Sequence, residues 1–257
     1  MFFYTKSENR GRLIGLLPWC LILITAALFE GCISDDSSGT NGGSGSSKCT
    51  NTYGTNTVTD CRDGQIYKTV VIGSQTWMAQ NLNYADSSAM PNLAGNSWCY
   101  NNSTDSCAKY GRLYKWAAAM NLDSSFHKIL ASAEISFPQQ GACPSAWHIP
   151  TDDEWTTLEN YVGGSDSAGI YLRSTSGWND GGNGTDTYGF SALPAGELDY
   201  EDNKFISAGH YARFWCATDD EAYYACERNT AYFYPNMWTN HYDKDYAYSV
   251  RCVKDSE

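Results

Sequence analysis

The stretch from Cys143 to Gly164, CPSAWHIPTDDEWTTLENYVGG, brings the most reactive side chains together in the fewest residues. A thiol (Cys143), an imidazole (His148) and two carboxylates (Asp152, Asp153) could supply a nucleophile and its base. The same stretch reads equally well as scaffold. Pro150 stops any preceding helix, Thr151 can cap the next one, and Glu154 can reach back to complete a capping box. Trp155, Leu158 and Val162 fall on one helical face, and Gly163-Gly164 ends the element. His148, set between Trp147 and Pro150, suits packing and hydrogen bonding better than proton transfer. The other histidines are His127, His210 and His241, and the chain contains no GxSxG, HExxH or P-loop pattern. Scaffold is the expectation.

A second set lies in the glycine-rich stretch Ser176 to Gly196, SGWNDGGNGTDTYGFSALPAG. Its glycines oppose regular helix or strand. Asp180, Asn183 and Asp186 carry oxygen ligands of the kind calcium takes. The alternative is a set of Asx turns in which these side chains bond their own backbone. No cofactor is required on this reading, and calcium is the one candidate.

A third set is aromatic: the chain has nine Trp and 19 Tyr. Flat rings with polar edges can stack on sugar faces while bonding at the rim, although many must also fill the core. Trp178, Tyr188, Trp238 and Tyr242 stand among polar and turn residues and are the candidate ligand contacts.

The elements that must position these residues begin after a leader. Residues 1–32 carry Lys6, Arg10 and Arg12, an apolar run from Leu13 to Phe29 and then Gly31-Cys32, the parts of a secretory signal. The ending LFEGC resembles a bacterial lipobox, which makes Cys32 the lipidation site. This implies an exported lipoprotein at the outer membrane or cell surface, held by a lipid anchor only, with plain secretion the alternative. Residues 33–48, ISDDSSGTNGGSGSSK, read as a flexible linker, and residues 49–257 as a single domain. The formal net charge is −12, and the leader holds three of the basic residues but only two of the acidic ones. That balance argues against nucleic acid and anionic headgroups as ligands.

Eight cysteines remain beyond the leader, an even number that suits disulfides in an exported chain. They allow on the order of a hundred pairings. Joining near neighbours gives Cys49–Cys61, Cys99–Cys107 and Cys216–Cys226, leaving Cys143–Cys252 as the long-range bridge. Zinc is the rival, but the close CxxC spacing of common zinc sites is absent.

Strands are expected at Gln65 to Ile72, Gln75 to Met78, His210 to Thr218 and Ser249 to Lys254. Helices are expected near 110–122 and 151–162, and a short strand at Ile170 to Ser174. The Asn- and Ser-rich stretch before Cys107 reads as a long loop clipped by Cys99–Cys107.

Several strings together resemble the Fibrobacter succinogenes major paralogous domain, a family of exported proteins and lipoproteins. They are DGQIYKTVVIGSQTWMAQNLNY, CAKYGRLYKWAAAM, CPSAWHIPTDDEW, GNGTDTYGFSALPAG and SVRCVKD, running in order from Asp63 to Asp255. Gln80 stands where a Glu is common, and Ala146 replaces the glycine of the usual CPxGWH. A weaker likeness concerns fold. HIPTDDEW resembles the RLPTEAEWE string of formylglycine-generating-enzyme-like domains, and SVRCVKD their closing strand. This likeness implies a C-type-lectin-like α+β fold: two main helices, a twisted antiparallel sheet and long disulfide-clipped loops. It also brings in a reactive cysteine pair, for which Cys216 and Cys226 would have to stand. Their spacing is wider than that active site's, so a disulfide is the simpler reading.

The expectation is a surface binding module, with polysaccharide the favoured partner. The alternative is a structural adhesin that binds a surface protein. A formylglycine-generating-enzyme-like oxidoreductase ranks lower, and a non-enzyme is expected.

Overall fold

A computed structural model describes residues 49–219 and 221–256. The leader, the linker and Cys32 lie outside the described residues. The strands are β1 (Thr52–Gly54), β2 (Thr57–Thr59), β3 (Ile66–Ile72), β4 (Gln75–Met78), β5 (Ser97–Trp98), β6 (Leu113–Lys115) and β7 (Trp147–His148). They continue as β8 (Glu197–Asp199), β9 (Lys204–Ile206), β10 (Tyr211–Trp215), β11 (Tyr224–Ala231), β12 (Trp238–Asp243), β13 (Ala247–Ser249) and β14 (Val253–Lys254). Helices among the described residues are α1 (Thr104–Tyr110), α2 (Trp116–Ala119), α3 (Asp152–Tyr161) and α4 (Ser165–Leu172).

Two sheets result, an α+β arrangement rich in strand. One runs β1-β2-β3-β4-β14-β7 and the other β12-β11-β10-β13-β6-β5, with β8 joined to β13 and β9 to β8. The pairings are antiparallel except β10 with β13, which meet in parallel at Phe214 and Ser249. The closing segment belongs to both sheets: β13 lies in the second, and β14 is inserted between β4 and β7 of the first.

Helix α3 starts as its sequence dictates. Thr151 Oγ1 accepts from the Glu154 amide at 3.2 Å, and Glu154 Oε2 accepts from the Thr151 amide at 2.8 Å. Trp155 and Leu158 are buried on its inner face, where Trp155 meets Trp77 at 4.8 Å and Phe214 at 5.4 Å between ring centroids. A second core gathers Trp116, Trp147, Trp215 and Tyr248 around the alanines of α2. Each buried Trp or Tyr removes a large apolar area from water, which is how a fold with short helices finds a core.

Three expectations are corrected. The helix near 110–122 forms only over Trp116–Ala119, because Leu113–Lys115 pairs as a strand with β13 and β5. Gly111, at φ +72°, makes the break between α1 and that strand; a Cβ there would lie 2.7 Å from the Leu82 carbonyl oxygen. Ile170 to Ser174 is not a strand. Ile170 and Leu172 belong to α4, and only Arg173 makes a bridge, with Ala192. The stretch before Cys107, expected as loop, holds 3-10 turns, β5 and part of α1.

Four disulfides form: Cys49–Cys61, Cys99–Cys107, Cys143–Cys252 and Cys216–Cys226. Buried arginines bind the rest. Arg228 pairs with Asp152 and Glu159 of α3. Arg251, fully buried, donates to Asn81 Oδ1 and to the Met78, Phe190 and Ser191 carbonyls. With no carboxylate bonded to it among the described residues, burial drives its pKa down to about 9.

Candidate ligand-binding surface

The turn after β11 presents three aromatic residues in a row, Tyr232, Phe233 and Tyr234, and β12 opens with Trp238. In a strand such neighbours would alternate between faces. Here the turn lets them touch: centroids lie 4.8 Å apart for Tyr232–Phe233, 4.5 Å for Phe233–Tyr234 and 5.5 Å for Tyr234–Trp238. His210 extends the row at 4.9 Å from Tyr232, and Tyr211 lies 6.2 Å from Phe233. Phe233 and Tyr234 remain 49% and 51% exposed, so the middle of the row is surface, while Tyr232 packs against the core.

This row is firmly seated. Arg173 donates to the Ala231 carbonyl and, at 2.6 Å, to the Tyr234 carbonyl. The Ile170 amide donates to the Pro235 carbonyl at 2.9 Å. Gly169 makes this approach possible, since a Cβ there would collide with the Asn236 and Pro235 carbonyls. On the other side, Gly182 lies against Tyr232, 2.5 Å from its Cβ if a methyl were added. Glycine is needed at both positions for close approach.

A second group centres on Tyr188, whose ring lies 6.0 Å from Tyr161 and 6.4 Å from Tyr171. Tyr161 is 58% exposed, and Tyr171 is exposed as well. Two of the proposed calcium ligands in the adjoining loop bond their own chain. Asp186 accepts from the Ser191 amide at 2.7 Å and from its hydroxyl, and Asn183 Oδ1 accepts from the Trp178 amide at 3.1 Å. These are the bonds of the Asx-turn reading. Asp180 is exposed at φ +50°.

Trp178 is corrected. It is 6% exposed, packed with the core of α3 and α4, and its Nε1 donates to Ser174 Oγ and the Ala192 carbonyl. The glycines around it let the loop fold inward and carry the ring under the surface.

Tyr242 belongs to a third group, with Tyr246 at 5.9 Å and Tyr248 at 6.0 Å. Arg213 links the first group to the third, its guanidinium 4.9 Å from the Tyr211 ring and 4.8 Å from Tyr242. Glu197 and Glu227 hold it from beneath. Burial raises the Glu227 pKa to about 7, with Arg213 and an Asn229 hydrogen bond pulling the other way. Sequence reasoning named Tyr242 but missed Arg213, Glu197 and Glu227 beside it. The members of this cluster come together only through strand register, Arg213 lying opposite Asn229 across β10 and β11.

The residues that opened the catalytic question are engaged elsewhere. Cys143 is disulfide-bonded and Asp152 pairs with Arg228. Asp152 lies close to Cys216 and Cys226, but those sulfurs are joined to each other and are not thiolate ligands. His148 is clasped between Glu154 and Asp255, each at 2.7 Å. Among the described residues no helix is long and apolar enough to cross a membrane.

Residues 70–254 match the family model described as Fibrobacter succinogenes major domain. The chain belongs to this family. The matched span includes α3, the whole Trp77–Trp155 core, most of the Trp116 core and the row Tyr232 to Trp238, so this member of the Fibrobacter succinogenes major domain family builds that row from the family's own segment. No curated protein and no solved structure matches the chain.

Proposed function

We infer that this family member is an exported, lipid-anchored surface module of C-type-lectin-like fold that binds neutral polysaccharide. The observation that carries the reading is the contiguous row Tyr232, Phe233, Tyr234 and Trp238, in which Phe233 and Tyr234 are half-exposed and the two flanking rings partly buried. Pyranose rings present apolar C–H faces with hydroxyls at the edge, and the exposed rings of Phe233 and Tyr234, tilted 59° to each other, offer apolar surface to such faces with the Tyr234 hydroxyl at the rim. The Arg173 bonds and the close-packed glycines hold these rings in place before ligand arrives, which lowers the entropic cost of binding. A net charge of −12 disfavours polyanionic chains.

Retention on a panel of insoluble and soluble neutral glycans, with and without a chelator, tests this. At least one glycan should be retained, and Tyr234→Ala and Trp238→Ala should each weaken it by about threefold to tenfold. A chelator effect would assign calcium to the loop carrying Asp180, Asn183 and Asp186. Retention of no glycan, or retention untouched by both substitutions, would move the assignment to a protein-binding adhesin.

A further inference from the structure

A cavity of about 480 Å³ opens on a different part of the surface, beside the Cys99–Cys107 disulfide. Its polar lining includes the amides of Gln65, Gln80 and Asn83, together with Lys109 and Arg112. Two positive charges line it and no carboxylate does, in a chain whose acidic residues outnumber its basic ones 29 to 17. That local reversal of sign is the first observation.

The second is how the two cations are partnered. Arg112 Nη2 donates to the Ser97 carbonyl at 2.9 Å. Its Nη1 meets, among the described residues, only the sulfurs of Cys99 and Cys107, at 3.6 and 3.7 Å. Disulfide sulfur is a poor acceptor at such distances, so a guanidinium face is left without a strong bond. Lys109 lies 4.5 Å over the Tyr110 ring and makes no ion pair among the described residues. Among the other buried or half-buried arginines, Arg62, Arg213 and Arg228 each have a carboxylate, while Arg173 and Arg251 are held by two or more oxygen acceptors at short range.

The third observation is the amides. Gln80 Oε1 already accepts from the Lys68 amide at 2.8 Å, which fixes the side chain and orients its NH2 group. Fixed amides are the usual partners of sugar hydroxyls, since each can both donate and accept. A cavity of this size suits a small molecule.

We propose that this cavity is a binding site for a carboxylate-bearing sugar, with Lys109 and Arg112 meeting the carboxylate and Gln80 and Asn83 the hydroxyls. The site is independent of the aromatic row, which takes neutral chains by stacking.

Titration of the disulfide-intact chain with glucuronate, methyl glucoside and acetate, followed by ligand-observed NMR and calorimetry, tests the assignment. Glucuronate should bind, and methyl glucoside and acetate should each bind at least about tenfold more weakly, because each lacks half of the complement. Lys109→Ala, at an exposed position that leaves the core untouched, should weaken glucuronate by about tenfold and reduce its salt dependence. Arg112→Lys, which keeps the charge but loses the planar fork, should also weaken it. Trp238→Ala should leave glucuronate binding unchanged, which separates this site from the surface proposed above. Methyl glucoside or acetate binding as well as glucuronate, glucuronate affinity unchanged in Lys109→Ala, or no glucuronate binding would each overturn the proposal.

Discussion

Ala146 holds its backbone at φ +64°, in the left-handed region that a Cβ disfavours by roughly 1–2 kcal/mol. It is exposed, and its carbonyl accepts from the Asp255 amide at 3.0 Å, so the conformation is fixed by the closing segment. Glycine at this position relieves the clash but gives up part of the gain to its freer unfolded state. Ala146→Gly should therefore stabilise the fold by about 0.5–1 kcal/mol, read as a rise in the urea midpoint at unchanged slope. A loss of stability would mean that the positive φ is not held in solution. The CPSAWH string shows where this turn lies, because a glycine is usual there. Trp178 was illegible for the opposite reason. Its neighbours are turn formers, and whether such a loop projects or folds inward depends on Ile72, Trp77 and Phe214, which are distant in sequence.

Among the elements, α3 was legible because capping, spacing and a glycine stop all lie within its own residues. The interval 110–122 was not. Its helical spacing is real, but Leu113 and Tyr114 gain more by pairing with Ser249 and Tyr248 and burying almost completely. A distant strand thus overrides local propensity. The clasp between α3 and the closing strand was equally hidden, since His148 and Asp255 are far apart in sequence. With both imidazole nitrogens 2.7 Å from carboxylates, both should donate, which requires the imidazolium. Burial alone would lower the His148 pKa, but the bonds to Glu154 and Asp255 outweigh it, and the net shift is upward from 6.5. For Glu154 burial pushes up, yet the His148 and Thr151 bonds prevail and the net shift is downward from 4.5. The histidine's contribution to stability is thus complete below pH 6.5 and lost as pH rises through its elevated value. The glutamate's is complete above pH 4.5 and lost as pH falls through its lowered value. His148→Gln should cost most stability between those limits and progressively less at alkaline pH. A difference from the unsubstituted chain that does not change with pH would show that the imidazole is neutral and merely packed.

On the scale of the whole molecule, the Cys143–Cys252 disulfide joins residues 109 apart and fastens the entry to β7 and α3 to the segment between β13 and β14. That segment is where the chain passes from one sheet to the other. In the chain-entropy account, closing a loop of this length removes about 5 kcal/mol of freedom from the unfolded chain, whereas the short Cys99–Cys107 loop removes about 2.5 kcal/mol. Both sulfurs of the long bridge are fully buried, so replacement by alanine also loses packing. Cys143→Ala/Cys252→Ala should therefore destabilise the fold more than Cys99→Ala/Cys107→Ala, by about 2 kcal/mol or more in urea unfolding. The long-bridge variant should also lose protection of the β14 amides in hydrogen exchange, since β14 is a short strand flanked by β4 and β7. Equal losses for the two pairs, with β14 still protected, would mean that side-chain packing and not the cross-link holds the two sheets together. Trp77 of β4 and Phe214 of β10, which both pack on Trp155, would then be the residues holding them.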